Sequence, residues 1–80
     1  MNWRVDSTRA FVEWVTQSSP NGAQIDRVAA WIERVIVEGP PNGAFEIGGD
    51  LYIAVIEGAR TRATYLAIWQ DRIVIVKSFG

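Results

Sequence analysis

The stretch GGDLYIAVIEGARTRATYLAIWQDRIVIVKSF, residues 48–79, decides the fold of this chain. Apolar side chains recur in it at every second position, which is the period of a β-strand. The pattern predicts three strands, at residues 51–57, 62–69 and 72–79. Glycine-rich or polar segments predict turns beside them, at residues 48–50, 58–61 and 70–71. Because short turns join successive strands, we predict an antiparallel meander.

Upstream of this stretch the apolar residues follow the period of a helix. One face of a predicted first helix carries Ala10, Phe11, Trp14 and Val15. Asp6 or Ser7 is expected to cap this helix, since either side chain accepts a hydrogen bond from the free backbone N–H groups of a first turn. The polar, proline-containing segment 18–22 ends it.

A second helix is predicted to begin after Asn21, which has the spacing of a capping box with Gln24. The apolar stripe of this helix contains Ile25, Val28, Ala29, Ile32, Val35 and Ile36. Gly39 and the two prolines that follow it must end the helix, because a glycine cap followed by prolines cannot continue it.

Two short segments complete the predicted order of elements. Residues 1–5 are predicted to form a first strand, and residues 45–47 a further short strand, so the meander has three to four strands. The fold class is therefore α+β, with a short N-terminal strand, a helical hairpin and then the antiparallel meander. We expect residues 1–80 to form a single domain, because a chain of this length supports one hydrophobic core.

The composition excludes several kinds of site. The chain contains neither cysteine nor histidine, so it offers no disulfide framework, no Cys/His zinc site and no histidine base. We expect no metal and no cofactor. No apolar stretch approaches the roughly twenty residues that a membrane span needs. The first residues also lack the pattern of a signal peptide, so we expect a cytoplasmic protein.

The charge is distributed unevenly along the chain. Residues 1–57 carry four basic and eight acidic side chains, whereas residues 58–80 carry four basic and one acidic, for a net charge of −1. The basic side chains of the C-terminal part are Arg60, Arg62, Arg72 and Lys77. They are candidates for a patch that binds phosphate groups. The alternative is ordinary solvation of a hairpin and of an edge strand.

Three stretches of the sequence resemble the RelE/ParE superfamily of bacterial toxins, and in particular its HigB or phage Gp49-like branch. FVEWV at residues 11–15 is similar to the first-helix signature of that branch. GGDLYIAV at 48–55 is similar to its first long strand. TYLAIW at 64–69, followed by RIVIVKSF at 72–79, is similar to its last two strands. The resemblance covers nearly the whole chain.

The resemblance implies a toxin of a type II toxin–antitoxin module, with an antitoxin as its partner and the ribosome and its mRNA as a target. Members that cleave mRNA do so without a metal, because basic and tyrosine side chains stabilise charge on the scissile phosphate. This chain departs from that pattern, with Ile53 and Val55 where the family strand has Glu and Arg, and Leu66 where it has Arg. The candidate catalytic residues that remain are Arg60, Arg62, Tyr65, Arg72 and Lys77.

Aromatic residues provide candidates for binding a partner. The helical context of Trp14 and Trp31 favours the core for both side chains. Trp31 lies beside the main apolar stripe of its helix and is expected to reach the surface more readily than Trp14. The candidate partner-binding residues are Trp31, Tyr52 and Trp69. Tryptophan and tyrosine are favoured anchors in protein interfaces.

Both faces of the predicted sheet are apolar, although two helices can cover only one of them fully. We therefore expect a homo-oligomer at high concentration, or a partner held against the remaining surface. In the alternative, Trp3, Val5 and residues 39–45 fold back over that surface as a lid.

Two hypotheses of function follow. In the first, the chain is a toxin or a toxin-derived component of a toxin–antitoxin module, which acts by ribosome-dependent mRNA cleavage or by contact with another host protein. In the second, it is a small non-catalytic interaction protein, such as a phage-encoded inhibitor or an adaptor. Whether the chain is an enzyme stays open; if it is one, the resemblance implies a metal-independent mRNA endoribonuclease.

Overall fold

A computed structural model describes residues 2–80 of the chain as two helices and five strands. The elements are β1 Arg4–Asp6, α1 Thr8–Ser18, α2 Gly22–Glu38, β2 Phe45–Gly48, β3 Leu51–Ile56, β4 Thr61–Ile68 and β5 Ile73–Phe79. The predicted α+β class and the predicted order of elements are confirmed. The first strand was predicted at residues 1–5 and is found as β1 at Arg4–Asp6. Met1, the first residue of the predicted strand, lies outside the described residues.

The five strands form one sheet in the order β1-β5-β4-β3-β2. Strands β2 to β5 are the predicted antiparallel meander. Strand β1 is parallel to β5, with Val5 opposite Val74. Parallel neighbours need a long crossover connection, and here both helices lie between β1 and the rest of the sheet in the chain. The helices thereby come to lie on one face of the sheet.

The two helices begin in different ways. In α2 the capping box is confirmed: the Gln24 N–H donates to Asn21 Oδ1 at 2.8 Å, and the Asn21 N–H donates to Gln24 Oε1 at 2.9 Å. In α1 the predicted side-chain cap is wrong. Asp6 is held in β1 opposite Ile75, and the Ser7 side chain makes no capping hydrogen bond. The ψ of Ser7 is −3°, which differs from the extended conformation of most N-caps.

The core lies between the helices and the sheet. Helix α1 contributes the buried Ala10 and Trp14, and Phe79 of β5 packs against the Trp14 ring at a centroid distance of 6.1 Å. The alternating residues of β4 that face the helices are all buried: Thr61, Ala63, Tyr65 and Ala67. The small alanines on either side of Tyr65 leave room for its ring beneath α2.

Trp31 lies in the core, the position that its helical context favours. Its side chain is only 8 % exposed, and its ring packs against Tyr65 at 5.9 Å and against Phe79 at 6.2 Å. Helix α2 faces the sheet through Val28, Trp31 and Val35, so Ala29 of the predicted stripe is exposed. Relative to the predicted stripe, the helix is rotated about its axis so that Trp31 packs in the core.

Candidate functional site

The sheet face turned away from the helices is apolar. In β3 the buried Ala54 and Ile56 point toward the helices. The residues that alternate with them along the strand, Leu51, Ile53 and Val55, therefore point the other way. Strand pairing extends this assignment across the sheet, because Leu66 lies opposite both Leu51 and Ile75. We call this surface the uncovered face, and its aliphatic residues are Leu51, Ile53, Val55, Leu66, Ile68, Ile73 and Ile75.

Within residues 2–80, no helix and no strand packs over the uncovered face. Val55 is 71 % exposed, and its aliphatic neighbours on this face are part-buried. Trp3 and Val5 pack against the core on the helix side of the sheet, and Phe45 is largely exposed. The alternative in which Trp3 and Val5 form a lid is therefore wrong, because β1 pairs with the outer edge of β5 and places Val5 opposite the buried Val74. Phe45 lies opposite Ile53 at the margin of the uncovered face and does not cover it.

The three positions at which the chain departs from the toxin pattern all lie on the uncovered face. Ile53 and Val55 are two residues apart on β3, and Leu66 is on β4 opposite Leu51. The resemblance predicts a carboxylate at the first of these positions and guanidinium groups at the other two. Aliphatic side chains there remove the charged groups from the middle of the face.

The structure divides the candidate catalytic cations between two ends of the sheet. Arg60 lies in the turn before β4, and Arg62 is opposite Val55 on the uncovered face. Lys77 is near this end, as the extra residue of a β-bulge in β5. Arg72 lies in the turn after β4, at the opposite end of a strand that spans roughly 25 Å at about 3.3 Å per residue.

The fifth candidate, Tyr65, belongs to the helix side of the sheet. The residue is 1 % exposed, and its hydroxyl is buried with no hydrogen-bond partner among residues 2–80. Burial, with a smaller contribution from the neighbouring Tyr52, raises the pKa of Tyr65 to about 12. A tyrosine with a raised pKa is a poor general base near neutral pH, since so little of it is ionised.

The candidate partner-binding residues occupy three different environments. Trp31 is in the core, as described above. Tyr52 is part-buried, and its ring stacks on that of Tyr65 at 5.6 Å with an interplanar angle of 17°. Trp69 is 52 % exposed and packs edge-on against Trp3 at 5.3 Å. Of the three, Trp69 presents the largest fraction of its side chain to a partner.

A groove that the sequence analysis missed lies between α2 and the outer edge of β3. Its volume is about 920 Å³, and its walls include Trp31 and Val35. Three arginines also line it: Arg27, Arg34 and Arg62. The signal in the sequence was the difference in length between the short predicted strand 45–47 and its longer neighbour 51–57, which leaves part of one strand without a partner.

Two other kinds of site have no candidate in the described part of the chain. Within residues 2–80, no three Asp or Glu side chains come together in a way that could hold a metal ion. No helix in the same range is both long enough and apolar enough to cross a membrane.

Comparisons with known proteins identify the fold. No protein-family model and no curated protein sequence matches the chain. Among solved structures, the chain is similar to a double arginine-to-alanine mutant of the E. coli toxin RelE in the free state. The TM-score is 0.72 and the sequence identity 21%, over 100% of this chain and 83% of that one. The chain therefore has the fold of the RelE toxin.

Proposed function

We propose that the chain is a toxin, or a toxin-derived component, of a type II toxin–antitoxin module, and that it acts by protein contact. One observation carries this proposal: on a RelE-like fold, Ile53, Val55 and Leu66 make one uncovered face aliphatic where the resemblance predicts charged residues. The assignment to the HigB or phage Gp49-like branch is part of the proposal and rests on the sequence stretches described above. A cytoplasmic location, where such a module operates, is also part of the proposal.

Electrostatics favours protein contact over mRNA cleavage. Cleavage at a phosphate needs preorganised positive charge beside the developing negative charge. Arg72 is at the far end of β4 from Arg62, and the hydroxyl of Tyr65 is buried on the other side of the sheet. Arg60, Arg62 and Lys77 remain near one end, and a catalytic role for the five candidates stays a prediction.

The uncovered face has the features of a protein-binding surface. Its centre is aliphatic, and Arg62 stands at its edge opposite Val55. Protein interfaces commonly combine an apolar centre, depleted of charge, with a polar rim. An amphipathic segment of an antitoxin or of a host protein would remove this apolar surface from water, which is the main favourable contribution to such binding.

The test is controlled expression in bacteria of the wild-type chain and of Leu66→Lys, which places a charge in the middle of the uncovered face. Thr16→Lys, at an exposed position of α1, is the control for added charge. We expect wild type and Thr16→Lys to slow growth and to bind the product of a neighbouring antitoxin-like gene. Leu66→Lys is expected to lose both properties while keeping its circular dichroism spectrum.

In vitro translation with primer-extension mapping separates the two modes of action. We expect no cleavage of the message. Cleavage that is lost in Arg62→Ala or Lys77→Ala would contradict action by protein contact and support the nuclease. If the chain neither slows growth nor binds the neighbouring product, and instead co-purifies with a host enzyme, the non-catalytic inhibitor or adaptor replaces the toxin.

A further inference from the structure

The outer edge of β3 is open along half of the strand. Strand β2 pairs with β3 only between Leu51 and Ile53, whereas β3 continues to Ile56. Within residues 2–80, no strand lies beside the outer edge from Ala54 onward. An open strand edge presents unpaired backbone groups to which another strand can add.

The direction of the backbone groups at this edge follows from the hydrogen bonds on the inner side. The Ala67 N–H donates to the carbonyl oxygen of Asp50 at 3.0 Å, so Asp50 bonds toward β4. In an antiparallel pair such residues alternate, and the same direction therefore holds for Ala54 and Ile56. The N–H and C=O groups of Val55 consequently point outward, away from β4, into the groove beside α2.

The groove beside this edge carries an excess of positive charge. Arg27, Arg34 and Arg62 line it, against the carboxylates of Glu38 and Glu57. No ion pair within 4.0 Å joins any of these groups among residues 2–80, where the pair found is Arg9–Glu13 on α1. Three guanidinium groups without a carboxylate partner are therefore available around an apolar floor formed by Trp31 and Val35.

We propose that an extended, acidic segment of a partner protein adds as a strand to the outer edge of β3 at Val55. Its main chain bonds to the outward N–H and C=O of Val55, and its carboxylates meet Arg27, Arg34 and Arg62. This is the strand-addition mode of peptide recognition, in which backbone bonds give affinity and side chains give specificity. A second copy of this chain fits less well, because it would bring the same excess of positive charge to the edge.

The experiment measures fluorescence anisotropy with the wild-type protein and a fluorescein-labelled peptide, Glu-Val-Asp-Val-Glu-Val-Asp. A matched peptide, with lysine at every acidic position, controls for β propensity and length. Val55→Pro removes the outward N–H at an edge position that tolerates proline, whereas Val55→Thr keeps it. Arg27→Glu/Arg34→Glu reverses two charges of the groove, and Arg9→Glu reverses one outside it.

We expect the acidic peptide to bind the wild type and the lysine peptide to bind at least about tenfold more weakly, a difference of one decade in Kd. Val55→Pro and the double arginine variant should each weaken acidic-peptide binding by about tenfold or more, while Val55→Thr and Arg9→Glu stay within about twofold. If Val55→Pro fails to fold, the double arginine variant alone decides the matter, because both of its residues are exposed.

Three results would overturn the proposal: no binding of the acidic peptide, equal binding of the lysine peptide, or full affinity in a folded Val55→Pro. Leu66→Lys, on the uncovered face, is expected to keep the affinity of the wild type for the acidic peptide. Arg27 and Arg34 lie on α2, whereas Leu66 lies on the uncovered face, so the double arginine variant and Leu66→Lys distinguish a failure at the edge of β3 from a failure of the proposed function.

Discussion

The ring of Tyr65 on β4 packs against the ring of Trp31 on α2, with their centroids 5.9 Å apart. This contact closes the core beneath α2 and excludes water from the tyrosine hydroxyl, which has no hydrogen-bond partner among residues 2–80. A buried hydroxyl without a partner has lost its hydrogen bonds to water and gained none in return. The same burial raises the pKa of Tyr65 to about 12.

We predict that Tyr65→Phe raises the free energy of unfolding at pH 7 by about 1 kcal/mol, because it removes a polar group that is buried without compensation. It also changes the alkaline response. The folded-state pKa lies above the unfolded value of 10.0, so the neutral form stabilises the fold below pH 10, and this contribution is lost as the pH rises toward 12. Urea unfolding at several pH values should show a smaller alkaline loss in Tyr65→Phe. An equal loss in both proteins would contradict the prediction.

Gly39 is predicted to be intolerant of a side chain. Its φ is 85°, and an added Cβ would lie 2.7 Å from the indole Nε1 of Trp3. We expect Gly39→Ala to lower the free energy of unfolding by roughly 2–3 kcal/mol, from backbone strain and overpacking together. In a Trp3→Ala background the cost should fall to about 1 kcal/mol, which is the strain alone. A double-mutant cycle by urea denaturation measures the difference.

The control for Gly39 is Gly22→Ala, since no atom lies within 4 Å of a Cβ built at Gly22. This substitution at the start of α2 is expected to be neutral or slightly stabilising, because alanine reduces the entropy of the unfolded chain. Equal costs at the two glycines would show that the contact with Trp3 is not the cause.

The two helix starts predict responses of different size to the same kind of substitution. Asn21→Ala removes the side-chain half of a complete capping box and is expected to lower the free energy of unfolding by about 1 kcal/mol. Ser7→Ala removes a hydroxyl that makes no capping hydrogen bond, so it should change stability by less than about 0.5 kcal/mol. Thermal unfolding followed by circular dichroism compares them, and a larger loss in Ser7→Ala would contradict the structure.

The uncovered face predicts self-association in the absence of a partner. Exposed apolar patches of this kind favour association and bind hydrophobic dyes. We expect light scattering to give a mass that rises with concentration, and Leu66→Lys to reduce both this rise and the dye fluorescence. A constant mass of 8.9 kDa, together with no dye binding by the wild type, would contradict the prediction.

The sequence predicted the meander and the order of elements well, because alternation and glycine-rich turns are local signals. It did not identify the partner of β1, since the pairing of Val5 with Val74 depends on the path of the whole chain. It also placed Trp31 beside the sheet-facing stripe of α2, to which the structure shows that this residue belongs. Helix α2 is apolar around more than half of its circumference, and the periodicity alone does not decide whether Ala29 or Trp31 faces the sheet.

The candidate site could be predicted only in part. The surplus apolar surface could be predicted, because both faces of the predicted sheet are apolar and two helices can cover only one of them. The departures at Ile53, Val55 and Leu66 were visible in the sequence. That these three residues share one face required the strand register. The burial of the Tyr65 hydroxyl required the alanines beside it to be recognised as space for α2, which depends on how the layers pack.

The pairing of β1 with β5 has a consequence for how the chain acquires its structure. Arg4 and Ile73 lie opposite each other although they are about 70 positions apart in the sequence. Contacts between such distant positions carry the full entropy cost of loop closure, and they form late unless the intervening elements already hold the ends together. During synthesis β1 leaves the ribosome before β5 and stays unpaired until β5 has been made. We therefore expect the local hairpins of the meander to form first, and β1 to dock last and to exchange its amide hydrogens first.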